Sequence, residues 1–430
     1  MRSFAALRYS VILRLIFRMV IVRCDLATEL RWLEGGTITS PKGFKAGATY
    51  SGIRTYSEGK LDLGMARSDN ECTVAGSFTT SKVRSSSVTL DQNRVLSGRA
   101  QAIVVNSGIA NACVGDQGMK DAIDMAEAAA ISLDLEPDLV LPASTGLIGV
   151  ELPMALIRNG VKNITMTYEG GHDLARAILT TDKRSKEVAV SFQVEDKTYV
   201  LGGIAKGSGM IHPNMATMLG FLATDAGVDS GFLQDALTYA VNRSFNMITV
   251  DGDTSTNDTV IILANGAAGG EQISNGTAGS ESFREALLQV CVYLAKEIAR
   301  DGEGATKLIQ VDVEGAKNEN DARIAAKAVA SSTLVKSAVH GGDPNWGRII
   351  AALGYSGAEL DEDLIDLYIN EVKIMEDGKP IPFFKESVEV AMSGESVAIR
   401  LDLKLESGAA TAWGCDLSEE YVTFNSAYTT

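Results

Sequence analysis

Apolar residues along this chain fall into short runs with two different periods, separated by glycine-rich breaks. Ala102–Val105 is uninterrupted and apolar, which fits a strand buried on both faces, and Asn106-Ser107-Gly108 behind it predicts a turn. Leu139–Leu141 predicts a short strand running into Pro142-Ala143-Ser144-Thr145-Gly146. Val188–Val194 alternates with period two, and Thr198–Gly203 fits as its hairpin partner. Val260–Ala264 and Leu308–Val313 predict further strands. Ala122–Leu133 and Asp321–Val329 read as Ala-rich helices. Gly231–Arg243 and Ser282–Arg300 read as long ones, the second with apolar positions three and four residues apart. The final third (Leu367–Ile374, Val388–Met392, Val397–Leu403 and Tyr421–Phe424) predicts mostly strand. From about Gly36 onward this mixture gives an α/β or mixed α+β class, helices packed on mixed sheets.

The first 24 residues break the pattern. Arg2, Arg8, Arg14, Arg18 and Arg23 surround the apolar stretch Tyr9–Val22 without a single acid. Arg14 and Arg18 interrupt a run that would need roughly 20 apolar residues to span a bilayer. A surface-lying amphipathic helix and a plain extension outside the fold both remain open, and the extension is the simpler reading.

Composition narrows the chemistry. The 430 residues are 45% hydrophobic and 22% charged, enough for a large core, with 42 glycines against 8 prolines. Lys and Arg number 39 and Asp and Glu 55, so the net charge is −16. Phosphate neutralisation needs a basic face, so nucleic acid is excluded as the expected partner and a small soluble substrate is favoured. The five cysteines are scattered without a C-x-x-C, which argues for a reduced, cytoplasmic setting and no zinc site. Cys113 reads as a small buried residue. Three histidines, His172, His212 and His340, leave little material for imidazole catalysis or metal binding.

Standard motifs fail. Gly302-Glu303-Gly304-Ala305-Thr306 is followed by Lys307 where a dinucleotide fingerprint needs glycine. Asp251-Gly252-Asp253-Thr254-Ser255 lacks the later Gly and Glu of a calcium loop, with Thr256 and Ile262 in their places. What remains is the segment Lys206–Leu219, a glycine-rich polar loop running into an apolar strand with Ala216-Thr217 at the junction. A threonine there that attacked the preceding carbonyl would cut the chain and gain a free α-amine. Such an amine titrates at about 7.7–8.0, close enough to neutrality to act as the base for its own hydroxyl. By spacing alone, Ala-Thr is also an ordinary strand start.

Several ordered blocks decide between these readings. They are Val105–Gly108 with Ala110–Cys113, Ser144–Gly146, Lys206–Leu219, Ile248–Asp258, Arg300–Lys307, Gly342–Arg348, Ala412–Leu417 and the Asn425–Thr430 tail. Together they closely resemble the ornithine acetyltransferase family of arginine biosynthesis, also called glutamate N-acetyltransferase. The resemblance runs from about Gly36 to Thr430. It implies a two-domain α/β fold similar to that of self-cleaving aminopeptidases, with self-cleavage between Ala216 and Thr217. Residues 36–216 would form an α chain and residues 217–430 a β chain, with 1–35 an extension outside the fold. The two chains would stay together as a dimer of such pairs, a heterotetramer.

The implied reaction moves an acetyl group from N2-acetylornithine to glutamate through acetyl-Thr217, with no external cofactor and no metal. Acetyl-CoA stays open as a second donor. Thr145 and Gly146 match the oxyanion pair, and Thr180, Lys206, Glu303, Asn425 and Thr430 match substrate contacts, Thr180 being preferred to Thr181. Asp251, Asp253 and Asn257 read as turn-forming residues that satisfy backbone locally. His340 and Asp343–Arg348 read as scaffold or interface. Ile109 and Thr429 depart from the family pattern, where Asn and Arg are common. Two other functions compete: a self-processed amidase with water as acceptor, and a non-enzymatic protein held at a membrane by residues 1–24.

Overall fold

The computed structural model describes residues 30–54, 59–212 and 218–427. Sixteen strands among them form two sheets. In the first, β1 (Arg31–Trp32), β6 (Lys186–Val194), β7 (Lys197–Lys206), β8 (Leu219–Thr224), β10 (Thr259–Ala264), β3 (Leu63–Phe78), β4 (Arg99–Ile109) and β5 (Val140–Leu147) lie side by side. β2 (Phe44–Thr49) pairs with β3 off that path. The β8–β10 and β4–β5 pairs are parallel and the others antiparallel.

β3 turns one sheet into two layers. Its first half pairs with β2 and β4, its last six residues pair with β10, and the register shifts between Arg67 and Cys72. The alternation of side chains then decides what each layer buries. Ile103 and Val105 of β4, Leu141 and Ala143 of β5, Leu219, Phe221 and Ala223 of β8, and Ile261 and Leu263 of β10 meet in one apolar cluster. Opposite faces are covered as well. Ala102, Val104 and Val140 pack on Met125, Ala126 and Ala129 of the helix Gly115–Leu133. Leu222, Val260 and Ile262 pack with the helices Ser230–Asn242 and Ser280–Arg300. Strands covered on both sides have no polar face to show, which is why they read as continuous apolar runs.

The second sheet runs β14 (Lys379–Pro380), β13 (Val372–Glu376), β12 (Asp366–Ile369), β15 (Ser396–Asp402), β11 (Leu308–Ala316), β16 (Gly408–Cys415) and β9 (Ile248–Thr249). Helices Glu319–Ser331 and Thr333–His340 pack on it, and its apolar face joins the cluster under the helix Ser280–Arg300. The two sheets therefore share a continuous core. No helix among the described residues is long and apolar enough to cross a membrane.

Four sequence expectations need correction. Asn106-Ser107-Gly108 is strand rather than turn, since β4 and β5 stay paired through Ser107–Thr145 and Gly108–Gly146, the residues into which the Leu139–Leu141 run leads. Val388–Met392 falls largely in the helix Lys385–Ala391, and Tyr421–Phe424 in the helix Glu419–Ala427, where exposed side chains outnumber buried ones and β-branched propensity decides little. Leu367–Ile374 is strand as expected, folded into a hairpin turned at Asn370, whose φ is 49°. Arg31 and Trp32 pair with Ser191 and Val190, so the fold starts ahead of the Gly36 boundary. Residues 1–29 lie outside the described residues.

Phe221 sits at the centre of the inter-layer cluster and is 0% exposed. Phe221→Ala is expected to lower unfolding stability by about 3–5 kcal/mol, read from the urea midpoint.

Candidate active site

Where the ends of β5 and β7 meet the C-terminal end of helix Ser280–Arg300, a polar cleft of about 220 Å³ opens. Thr145, Gly146, Thr180, Thr181, Lys206, Glu303 and Asn425 all line it, together with Asp251, Asp253 and Tyr421. Thr217 and Ala216, and the C-terminal Thr430, lie outside the described residues.

β5 supplies the first wall. Gly146 has a φ of 130°, and a β-carbon on it would stand 2.2 Å from the Gly108 carbonyl carbon of the neighbouring strand, so only glycine fits. Asn257 fixes this edge from behind, its Nδ2 donating to the carbonyls of Ala110 at 2.6 Å and Ser144 at 2.8 Å. The peptide leading into Thr145 is thereby held in place.

Lys206, the last residue of β7, supplies the cation. It is 5% exposed, and its Nζ donates to Thr180 Oγ1 at 2.8 Å and Thr145 Oγ1 at 3.4 Å. Burial pulls its pKa below the usual 10.5, and the Asp182 carboxylate opposes that pull. Asp182 is itself a hub. Its Oδ1 accepts from Lys186 Nζ and from the Gly207 N–H, both at 2.7 Å, and its Oδ2 from the Thr180 N–H at 3.0 Å. Burial alone would raise this carboxyl, but Lys186 and Lys206 outweigh it and hold the group well below the usual range. Lys186 Nζ also donates to Asp301 Oδ2 at 2.6 Å.

Asp301 ends the helix Ser280–Arg300 and presents Glu303 two residues on. The Glu303 N–H donates to Ser208 O at 2.8 Å. Its carboxylate accepts from Thr181 Oγ1 at 2.6 Å and Asn425 Nδ2 at 2.9 Å. A β-carbon at Gly209 would meet that carboxylate at 2.4 Å, so a side chain there would push the Glu303 carboxylate aside. Both candidate threonines face the cleft, Thr180 toward Lys206 and Thr181 toward Glu303.

The loop beyond Gly209 is held by Asp251, whose carboxylate accepts from the N–H groups of Met210 at 2.6 Å and Ile211 at 2.8 Å. Burial raises the Asp251 pKa in spite of these donors. His212 is pulled down to about 4 by burial, and by Lys327 in addition. On the far side of residues 213–217, Met218 O accepts from the Thr259 N–H at 3.0 Å. The flank before the Ala216-Thr217 segment is therefore tied to the loop after β9 and the flank behind it to β10.

Sequence reasoning treated Asp251, Asp253 and Asn257 as local turn formers, yet all three line the cleft. Their signal was the density of Asp, Ser, Thr and Asn between Asp251 and Asp258. Tyr421 was missed because its segment read as strand. Cys113 is exposed, with a φ of 59° that puts it on a tight bend rather than in the core. No cluster of three His, Cys, Asp or Glu among the described residues could hold a metal ion. Chemically the cleft offers one buried ammonium, several hydroxyls and a carboxylate-rich side. That arrangement suits a small molecule carrying both charges.

Replacing Lys186 strands two carboxylates in the interior, because the Lys186 and Asp182 side chains are 0% exposed and Asp301 is 4% exposed. Lys186→Met is expected to cost about 3–5 kcal/mol of stability by denaturant titration.

The family model described as the ArgJ family matches residues 45–430. The arginine biosynthesis bifunctional protein ArgJ of Dehalococcoides mccartyi is 52% identical over 398 residues, 93% of this chain and 98% of its own. Its namesake in Symbiobacterium thermophilum is 49% identical over 403 residues, covering 93% and 100%. The crystal structure of the ArgJ protein of Bacillus halodurans is 46% identical, covers 49% of this chain and 100% of its own, and gives a TM-score of 0.49. With the match spanning both sheets and every wall of the cleft, the chain belongs to the ArgJ family.

Proposed function

We propose that this protein transfers an acetyl group from N2-acetylornithine to glutamate through an acetyl ester on Thr217, in arginine biosynthesis. One observation carries this reading beyond family membership: Thr145, Gly146, Thr180, Lys206, Glu303 and Asn425, far apart in sequence, line one cleft, and the strand that follows Thr217 pairs with the end of β7 that carries Lys206.

Self-cleavage comes first. Thr217 Oγ attacks the Ala216 carbonyl, the peptide C–N bond breaks, and water hydrolyses the resulting ester to leave Ala216 as a carboxylate and Thr217 with a free amine. That amine takes the Oγ proton as the oxygen attacks the acetyl carbonyl. The tetrahedral oxyanion is met by the Thr145 hydroxyl and the Gly146 N–H, a type of donor whose loss costs about 2.7–4 kcal/mol. Collapse breaks the acetyl–nitrogen bond, and the proton leaves with ornithine. The glutamate α-amine then attacks the ester, and the Thr217 hydroxyl is restored.

Lys206 receives the α-carboxylate common to both substrates, and Glu303 the side-chain ammonium of ornithine, with Thr180, Asn425 and Thr430 completing the contacts. No external cofactor enters this cycle. The word "bifunctional" in the relatives' name supports acetyl-CoA as a second donor. The enzyme works in the cytoplasm, its α and β chains (residues up to 216 and from 217) assembled as a dimer of pairs.

Intact mass of the purified protein beside Thr217→Ala tests the first step. Two chains are expected for the wild type, one beginning Thr217-Met218-Leu219, and one uncut chain for the variant. Supplied with N-acetylornithine and glutamate, the wild type should form N-acetylglutamate. Acetate alone would replace the transferase by an amidase.

A further inference from the structure

His340 is the last residue of the helix Thr333–His340 and lies outside the cleft, yet its ring joins two elements that build the cleft wall. Nδ1 lies 2.7 Å from Asp416 Oδ2, and Nε2 lies 3.4 Å from Glu419 Oε2. Asp416 is the clamp on the turn that carries Glu303. Its Oδ1 accepts from the N–H groups of Thr306 and Lys307, both at 2.8 Å, and its Oδ2 from Thr306 Oγ1 at 2.6 Å. Glu419 opens the helix Glu419–Ala427, which carries Tyr421 and Asn425 to the cleft.

That helix buries none of its side chains, so apolar packing does little to fix it and polar anchors must set its position. They are visible. Ser418 Oγ donates to Gly304 O at 2.6 Å, and Asn425 Nδ2 reaches Glu303. Gly304 approaches so closely that a β-carbon there would stand 2.5 Å from the Tyr421 nitrogen. The Glu303 turn and the C-terminal helix thus form one polar unit, with His340 at its outer hinge.

We infer that His340 is a positioning residue: by bridging Asp416 and Glu419 it sets the C-terminal helix against the Glu303 turn and so aligns Asn425 and Glu303 for substrate. This rests on the acetyl-transfer reading for its kinetic consequence, but not for the anchoring itself. Its effect falls on binding, because His340 touches neither Thr145 nor Gly146 nor the Lys206 ammonium.

The test compares the full-length, self-processed enzyme with His340→Leu, which removes both ring nitrogens, and His340→Asn, whose amide nitrogen can replace the Nδ1 donor toward Asp416. His340→Leu is expected to raise KM for N-acetylornithine and for glutamate about tenfold with kcat within about threefold, and the asparagine, which restores the Asp416 contact but not the Glu419 one, should fall between leucine and wild type. Hydrogen exchange in residues 419–427 should accelerate in the leucine variant and return toward normal with asparagine. Unchanged KM and unchanged exchange in a folded leucine variant would overturn the proposal, as would an asparagine variant no better than leucine. If the leucine variant does not fold, Glu419→Ala at that exposed position decides the same question, and an unaltered KM and exchange rate again overturn it. A wild type that exchanges as expected but forms no N-acetylglutamate would instead remove the acetyl-transfer reading and leave the anchoring standing.

Discussion

A single buried ammonium, that of Lys186, fixes the relation between the pieces of the cleft. It reaches both Asp182 and Asp301, and no other lysine ammonium hydrogen-bonds either carboxylate among the described residues. Through Asp182 it governs the Thr180 N–H and the start of the loop at Gly207, and through Asp301 the end of the helix that presents Glu303. Burying three charges is costly unless each is paired and its remaining valences are filled, and here backbone N–H groups of Thr180, Lys183 and Gly207 fill them. The depressed Asp182 carboxyl, with Lys186 and Lys206 both beside it, is the electrostatic sign of that arrangement. Lys206 gains from it too, since the Asp182 charge opposes the desolvation that lowers its pKa.

Position in the fold explains why this network can hold a catalytic edge. The two layers around Phe221 are apolar on both faces, so polar chemistry is displaced to the strand ends, where β5 and β7 terminate. Backbones crowd there. Gly146 against the Gly108 backbone leaves no room for a β-carbon, Gly209 lies close against the Glu303 carboxylate, and the close approach aims main-chain and side-chain groups at a small volume. Asn257 and Asp251 then spend their hydrogen bonds on backbone, holding the walls rather than facing solvent.

Local patterning carried the central strands and the long helices into view, because burial on both faces or along one stripe leaves a period in the sequence. Val188–Val194 with Thr198–Gly203 and the helix around Ser282–Arg300 are such cases. The pattern misleads where tertiary contacts override it. Asn106–Gly108 looks like a turn because it holds glycine and small polar residues, yet β5 pairs through it. The C-terminal helix shows no period because it buries no face, and its aromatic and β-branched residues mimic a strand. The strand Leu63–Phe78 gave no signal, since it serves two layers and changes partners midway. For the site, spacing alone reached only an Ala-Thr junction in a glycine-rich loop. The family resemblance supplied the rest, because Thr145, Lys206, Glu303 and Asn425 come together only through long-range folding.

Scarcity of histidine shaped the chemistry from the beginning, and the structure accounts for all three. His172 is half exposed and pairs with Glu187 on the surface. His212 is held neutral by burial, its Nδ1 bonded to Thr249 Oγ1, and it is not among the residues that line the cleft. His340 bridges two carboxylates outside the cleft. No imidazole lines the site, Lys206 hydrogen-bonds Thr180 and Thr145, and the Glu303 and Asp251 carboxylates accept hydrogen bonds from Thr181, Asn425, Met210 and Ile211. An acyl transfer run there needs a base near neutrality that is none of these groups. On the proposed reading, cleavage before Thr217 would free an α-amine of about that pKa on the same residue as the hydroxyl it must activate, so that cutting the chain would create the missing base.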